Sequence, residues 1–262
     1  MKRKPTFAHP EQFPESFRSL LRTHRLYDSS CSQDARVWFL EGKENLFLKS
    51  APAGTLKAEA DMSRYFHGQG LGPQVLNYQS SDRDWLLTAA LPGEDCTHSM
   101  YLEDPRQLSE TTALLLRQLH EQSFTDCPLQ HHTKDYLDRV HRNRQAGFCD
   151  LSLFPEQDWG FSSPEEAWKT VEAYQTHLTA DTLLHGDYCL PNIILDHWNF
   201  SGFIDVGRGG IGDRHTDIFW GVWTLFFNLK TNAFCSRFLD AYGRDRIEPE
   251  MLRLIAACEV FL

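Results

Sequence analysis

The segment His185-Gly186-Asp187, followed five residues later by Asn192 and thirteen residues after that by Asp205, constrains this chain more than any other feature. Short apolar runs flank it. Leu183-Leu184 and Ile193-Ile194-Leu195 read as strands, and Tyr188-Cys189-Leu190-Pro191 reads as a loop between them, so Asp187 and Asn192 stand at the two ends of one loop. A turn at Asp196-His197-Trp198-Asn199 sends the chain back as Phe200-Ser201-Gly202-Phe203-Ile204, a hairpin that returns Asp205 beside Asn192. Phosphoryl transfer from ATP needs one carboxylate to orient and deprotonate an attacking hydroxyl. It also needs an amide oxygen and a second carboxylate to hold Mg²⁺ against the triphosphate, and this stretch supplies all three. The competing reading is three unrelated polar residues in turns, where Asp and Asn are common. The joint spacing between apolar strands weighs against it.

Composition narrows the class. With 262 residues, 41% hydrophobic and 24% charged, the chain can bury a large core and is neither disordered nor fibrous. A net charge of −10 argues against nucleic acid or an anionic membrane as partner and favours a cationic small-molecule substrate. Met1-Lys2-Arg3-Lys4 is basic, but Pro5-Thr6-Phe7-Ala8-His9-Pro10 is no apolar signal core. The longest apolar stretch, from Ile218 to Leu229, is too short to span a bilayer. Seven cysteines without CxxC or zinc spacing read as reduced thiols of a cytoplasmic protein. Cys189 lies in the loop whose chemistry Asp187 already supplies, so it is not assigned as a nucleophile.

Before Pro92-Gly93 the pattern is strand-rich, with strands at Val37–Leu40, Leu46–Lys49 and Trp85–Thr88 and a helix from about Leu56 to Phe66. After it the pattern is mainly helical. Asp104 caps a helix with Pro105 in its first turn, and Leu108, Thr112, Leu115, Leu116 and Leu119 recur at helical spacing. Ser163-Pro164-Glu165-Glu166 reads as a capping box opening a helix with Trp168, Val171 and Leu178 on one face. Phe219, Trp220, Trp223, Phe226 and Phe227 form an aromatic stripe, mostly core, with Phe227 expected to line an acceptor pocket. His131-His132 reads as a solvated loop, and His120, at a helix end where the dipole favours a cation, reads as structural.

The run from His185 to Ile194, with Gly202-Phe203-Ile204-Asp205-Val206-Gly207-Arg208 and Gly212-Asp213-Arg214-His215-Thr216-Asp217-Ile218, resembles the aminoglycoside 3′-phosphotransferases. Leu116-Arg117-Gln118-Leu119-His120, Cys127-Pro128, Trp85-Leu86-Leu87-Thr88 and Leu91-Pro92-Gly93 extend the resemblance to most of the chain from about Val37. It implies an α+β, two-lobed, protein-kinase-like fold, with a nucleotide-binding lobe over residues 1–91 and a catalytic and substrate-binding lobe over 92–262. It further implies ATP- and Mg²⁺-dependent transfer of the γ-phosphate to the 3′-hydroxyl of an aminoglycoside, with antibiotic resistance as the outcome, by a monomer. Two alternatives stay open: a kinase of the same fold acting on a less cationic hydroxylated small molecule, and a nucleotide-binding regulatory protein without turnover.

On this resemblance Asp187 is the catalytic base, and Asn192 and Asp205 are the metal ligands. Lys49, ending an alternating strand, grips the phosphates with Glu59 as its carboxylate partner; a solvated edge lysine is the bland alternative. Phe47 shares the face of Lys49 and resembles the aromatic that stacks on adenine, although a core phenylalanine fits the pattern too. Backbone groups of Ala89 and Leu91 are expected to bind adenine. The phosphate loop reads Cys31-Ser32-Gln33-Asp34 where the family carries Gly and Ser, so its approach to phosphate is expected to differ. For the substrate, Glu156 and Asp158, Arg208, Glu259 and the carboxylate of Leu262 are the candidates. Acids of the family pattern are replaced at Phe227, Asn228 and Cys258, which points to a less cationic acceptor or to substitute acids. His185 and Asp217 are expected to brace the catalytic loop.

Overall fold

In the computed structural model, residues 3–31, 35–152 and 160–262 are described, and they form a mixed α+β chain. The chain divides into two compact units, Met1–His98 with Pro191–Gly207, and Ser99–Leu190 with Arg208–Leu262.

The first unit is built on a six-stranded antiparallel sheet. Its order is β1 (Lys4–Pro5), β2 (Arg25–Asp28), β3 (Arg36–Glu41), β4 (Leu46–Pro52), β6 (Arg83–Ala89) and β5 (Val75–Ser80). The period of two in Leu46-Phe47-Leu48-Lys49 decides what each face carries. Leu46 and Leu48 pack with Phe13, Phe17, Leu40, Trp85 and Leu87, and Trp38 stacks on Trp85 at 5.9 Å. Phe13 and Phe17 reach this core from the N-terminal segment, which also carries the short helices α1 (Glu15–Arg18) and α2 (Leu20–Thr23). Each fully buried leucine of this kind is worth about 2 kcal/mol. The opposite face, which carries Lys49, is covered by α3 (Lys57–Gly68), where Leu56 and Ala60 meet Ala51 and Leu86.

A second sheet in this unit orders β10 (Asn199–Phe203), β9 (Ile193–Asp196) and β7 (Glu94–Asp95). β9 and β10 form the expected hairpin. Its two-residue turn places His197 and Trp198 at φ 49° and 69°, a left-handed pair of the kind that matches strand twist and is usually supplied by Asn-Gly.

The second unit is mainly helical. It comprises α4 (Ser99–Leu102), α5 (Pro105–His120), α6 (His132–Gln145), α7 (Pro164–Tyr174), α8 (His215–Leu229), α9 (Cys235–Tyr242) and α10 (Pro249–Glu259), with β8 (Thr182–Leu184) paired to β11 (Gly210–Gly212). The Asp104 side chain accepts the Gln107 N–H at 3.0 Å, and Leu108, Thr112, Leu115, Leu116 and Leu119 are all buried, as the spacing predicts. At α7 only half of the capping box forms. Ser163 Oγ accepts from the Glu166 N–H at 3.2 Å, but the Glu166 carboxylate turns to the N–H of Ser162 at 2.9 Å. Leu178 does not lie on α7, because the helix ends at Tyr174 and a 3₁₀ turn over Gln175–His177 intervenes.

Candidate functional site

In the first unit, β4 and α3 bring a lysine and a glutamate together, and the β9–β10 hairpin adds an aspartate. Lys49 Nζ donates to Glu59 Oε2 and to Asp205 Oδ1, both at 2.7 Å. Burial favours the neutral amine, but the two carboxylates outweigh it and hold the Lys49 pKa above its ordinary value. Burial pushes the Glu59 carboxyl up, Asp205 adds to the shift, and Lys49 opposes both. The ladder ends with Phe203 opposite Ile193, and the Ile204 N–H donates to the Asn192 carbonyl at 3.0 Å, so Asn192 and Asp205 are neighbours across the strand ends. Asp205 adopts φ 60°, and its side chain is 49% exposed. Gly207 is needed at close quarters, since a Cβ there would lie 2.9 Å from the Glu59 Cβ.

The adenine-side expectations also fall in this unit. Phe47 is half-buried on the Lys49 face, with its ring 5.2 Å from Phe39. The Ala89 N–H is donated to the Gln74 carbonyl at 2.9 Å, so the carbonyl is the Ala89 group left to address a base. Leu91 lies two residues past the end of β6. Ser32, Gln33 and Asp34 of the phosphate loop lie outside the described residues.

In the second unit the loop after β8 is fixed by one buried carboxylate. Asp217 accepts the backbone N–H of His185 on Oδ2 at 2.7 Å and that of Gly186 on Oδ1 at 2.8 Å, and His120 Nε2 lies 3.2 Å from Oδ2 as well. Gly186 sits at φ 81°, and a Cβ there would come within 1.9 Å of the Arg208 carbonyl oxygen, so only glycine fits. Asp187 follows, half-buried, and the Cys189 N–H donates to its carbonyl at 2.8 Å. Burial and the neighbouring Asp187 push the Cys189 thiol up, away from the thiolate a nucleophile requires. Tyr188 Oη donates to the Thr112 carbonyl at 2.6 Å and anchors the loop to α5.

His120 ends α5 and has the structural role expected of it, but as a neutral ring and not a cation: its side chain is 2% exposed, and burial lowers its pKa. Ionised Asp217 can only accept, so the neutral ring donates from Nε2 and accepts at Nδ1 from Tyr242 Oη, 2.8 Å away. His132 corrects the sequence reading, because it opens α6 with its ring stacked 5.9 Å from Tyr136 instead of lying in a solvated loop. The partners of His120 are distant in sequence, whereas that of His132 is one helical turn away on α6.

Among the substrate candidates, Glu259 is 7% exposed on α10 and accepts from Tyr136 Oη at 3.0 Å. Burial pushes its carboxyl up to about 7, against the pull of Tyr136, Arg139 and Arg208. Cys258 beside it is fully buried. The Leu262 N–H donates to the Glu259 carbonyl at 3.2 Å. Arg208 lies with its backbone against Gly186. Glu156 and Asp158 lie outside the described residues. Phe219 is core, as expected; Phe227 is 50% exposed, stacked on Trp223 at 4.9 Å and covered by the Lys230 ammonium at 4.1 Å.

All seven cysteines are free thiols. Among the described residues no group of three or more His, Cys, Asp or Glu side chains is placed to hold a metal ion, and no helix is long and apolar enough to cross a membrane. The oxygen pair of Asn192 and Asp205 fits Mg²⁺ all the same, since that ion takes one or two protein oxygens and fills its shell with phosphate and water.

Residues 28–254 match the phosphotransferase enzyme family. A protein of Lactococcus lactis subsp. lactis, described as a probable aminoglycoside 3′-phosphotransferase, is 44% identical over 252 residues, covering 96% of this chain and 95% of that one. The crystal structure of an aminoglycoside 3′-phosphotransferase of type VIII aligns with a TM-score of 0.75 at 25% identity, over 95% of this chain and 100% of the other. The aminoglycoside phosphotransferase APH(3″)-Id of Streptomyces rimosus, solved in complex with ADP and streptomycin, shares the fold with a TM-score of 0.68 at 24% identity, over 94% and 98%.

Proposed function

Because this chain belongs to the phosphotransferase enzyme family, we propose that it moves the γ-phosphate of ATP to the 3′-hydroxyl of an aminoglycoside antibiotic, and so confers resistance. The observation that carries the reading is the junction at Lys49, where one ammonium is held at 2.7 Å by both a helix glutamate and the aspartate of the hairpin. A lysine fixed in this way is poised to neutralise phosphate oxygens, and Asp205 with the Asn192 amide oxygen would hold Mg²⁺. Bound Mg²⁺ supplies charge neutralisation on the triphosphate. Phe47 would stack on adenine, and the Ala89 carbonyl and the Leu91 N–H would read its edge. These nucleotide contacts fall in residues 1–91, apart from the hairpin ligands.

Asp187, on the loop that Asp217 holds, accepts the proton of the attacking hydroxyl. Little covalent chemistry is asked of the protein, so positioning and electrostatics supply most of the rate. Arg208, Glu259, the Leu262 carboxylate, Glu156 and Asp158 are assigned to the acceptor, in residues 92–262. The protein works as a monomer in the cytoplasm, where ATP is supplied, with neither nucleic acid nor membrane as partner. Replacing Asp187 by Ala should abolish transfer while leaving ATP affinity within about twofold, since the hydroxyl-activating carboxylate is not a nucleotide ligand. Turnover retained in that variant would remove Asp187 from the role of base.

A further inference from the structure

The N-terminal strand brings a charged side chain to the face of the first sheet that carries Lys49. Residues paired directly across an antiparallel ladder share a face, so Pro5, Tyr27, Phe39 and Phe47 form one row across β1, β2, β3 and β4. Lys49 is two residues from Phe47 and Arg3 two residues from Pro5, and the period of two puts both on that same face. The aromatic part of the row is continuous, with the Tyr27 and Phe39 rings 6.0 Å apart and those of Phe39 and Phe47 5.2 Å apart. The Arg3 guanidinium lies over Phe39, 4.2 Å from the ring centroid. Its Nη2 is 3.6 Å from Glu94 Oε1, three residues past Leu91.

Burial along the row separates the covered ring from the open one. Phe39 is 3% exposed beneath the guanidinium, whereas Phe47 is only half-buried. A purine stacked on Phe47 stands off the sheet much as the guanidinium does, since stacked rings and cations alike sit within roughly 6 Å of an aromatic centroid. Base and guanidinium are then side by side over neighbouring rings, which brings the base edge within reach of the guanidinium N–H groups. The ring nitrogens on that edge are acceptors, and a guanidinium only donates; one carboxylate, that of Glu94, cannot use all five of its N–H groups.

We propose that Arg3 belongs to the nucleotide site and donates to the edge of the purine that stacks on Phe47. The proposal rests on the reading of Phe47 as the adenine platform within the phosphotransfer function. Arg3 lies ahead of residues 28–254, the part of the chain that matches the family, so the family likeness assigns it no role. It binds the base and takes no part in phosphate transfer.

The test is the Kd for ATP with Mg²⁺, measured by titration calorimetry for the wild-type chain, Arg3→Ala and Glu94→Gln at about 0.05 M and about 0.5 M NaCl. The thermal unfolding midpoint of each variant is recorded alongside. Arg3→Ala should raise Kd roughly fivefold, somewhat less than a fully buried hydrogen bond from a charged donor is worth, because the Arg3 side chain is 32% exposed. The loss should be the same at both salt concentrations, since a hydrogen bond to a neutral base is little screened. Glu94→Gln removes the ion pair but keeps the guanidinium, and its Kd should stay within about twofold of wild type. Three results overturn the inference and leave the phosphotransfer reading standing: an unchanged Kd in folded Arg3→Ala, a loss that vanishes at high salt and so marks a long-range charge effect, or an equal loss in Glu94→Gln. A wild type that does not bind ATP overturns both.

Discussion

Replacing Asp217 by Ala should cost more than any other single change around the catalytic loop. The carboxylate is fully buried and accepts two backbone N–H groups, at 2.7 and 2.8 Å, while also bonding His120. Hydrogen bonds to a charged group are worth about 1.5–3 kcal/mol each, so losing the two backbone bonds alone removes roughly 3–6 kcal/mol. That is a large fraction of the 5–15 kcal/mol by which a typical domain is stable. Asp217→Asn keeps one acceptor oxygen and should lose about half as much. Burial raises the Asp217 pKa, but the His120 and backbone hydrogen bonds prevail, and the folded value lies below the ordinary carboxylate range. The contribution is therefore complete above the unfolded carboxylate pKa and is lost as pH falls through the folded one. Urea unfolding at pH 7 and pH 3 reads the stability, and kcat measured on the folded fraction reads the loop, which should slow transfer well beyond the loss of folded protein. A cost under about 1 kcal/mol for Asp217→Ala, with kcat within twofold, would refute the account of how the loop is held.

Two further predictions concern backbone room and proton linkage. Gly186→Ala should fail to give stable active protein, because it combines φ 81° with a Cβ 1.9 Å from the Arg208 carbonyl oxygen; a cost above about 3 kcal/mol is expected in chemical unfolding, and a change under 1 kcal/mol would contradict the geometry. Glu259 has a folded pKa raised to about 7 from 4.5, so its burial favours the protonated form, and stability from this site falls as pH rises from about 4.5 through 7. Over that window the wild type should lose roughly 3 kcal/mol relative to Glu259→Gln, at about 1.4 kcal/mol per pKa unit. A difference that stays flat with pH would show the carboxyl already ionised.

Much of the nucleotide-side geometry was legible because it is local. Alternation in Leu46–Lys49 put Lys49 on the α3 face, and the strand-turn-strand pattern after Asn192 predicted the hairpin that sets Asp205 beside it. The turn itself gave no signal, since His197 and Trp198 hold left-handed conformations without a glycine. Features depending on distant partners were hidden. Tyr136 and Glu259 are separated by 123 residues and His120 and Tyr242 by 122, so neither the contact of α6 with α10 nor the neutral state of His120 could be read from periodicity. β2 escaped because Arg25-Leu26-Tyr27-Asp28 is a short, polar strand with no buried residue.

The central claim is transfer to one particular hydroxyl, and Mg²⁺-dependent ADP release with kanamycin A and with its 3′-deoxy congener tests it most directly. Turnover with kanamycin A and none with the 3′-deoxy compound is the predicted result. Equal turnover of both would place the phosphate on another hydroxyl, and silence with both, while ATP still binds, would contradict the assignment of an aminoglycoside acceptor.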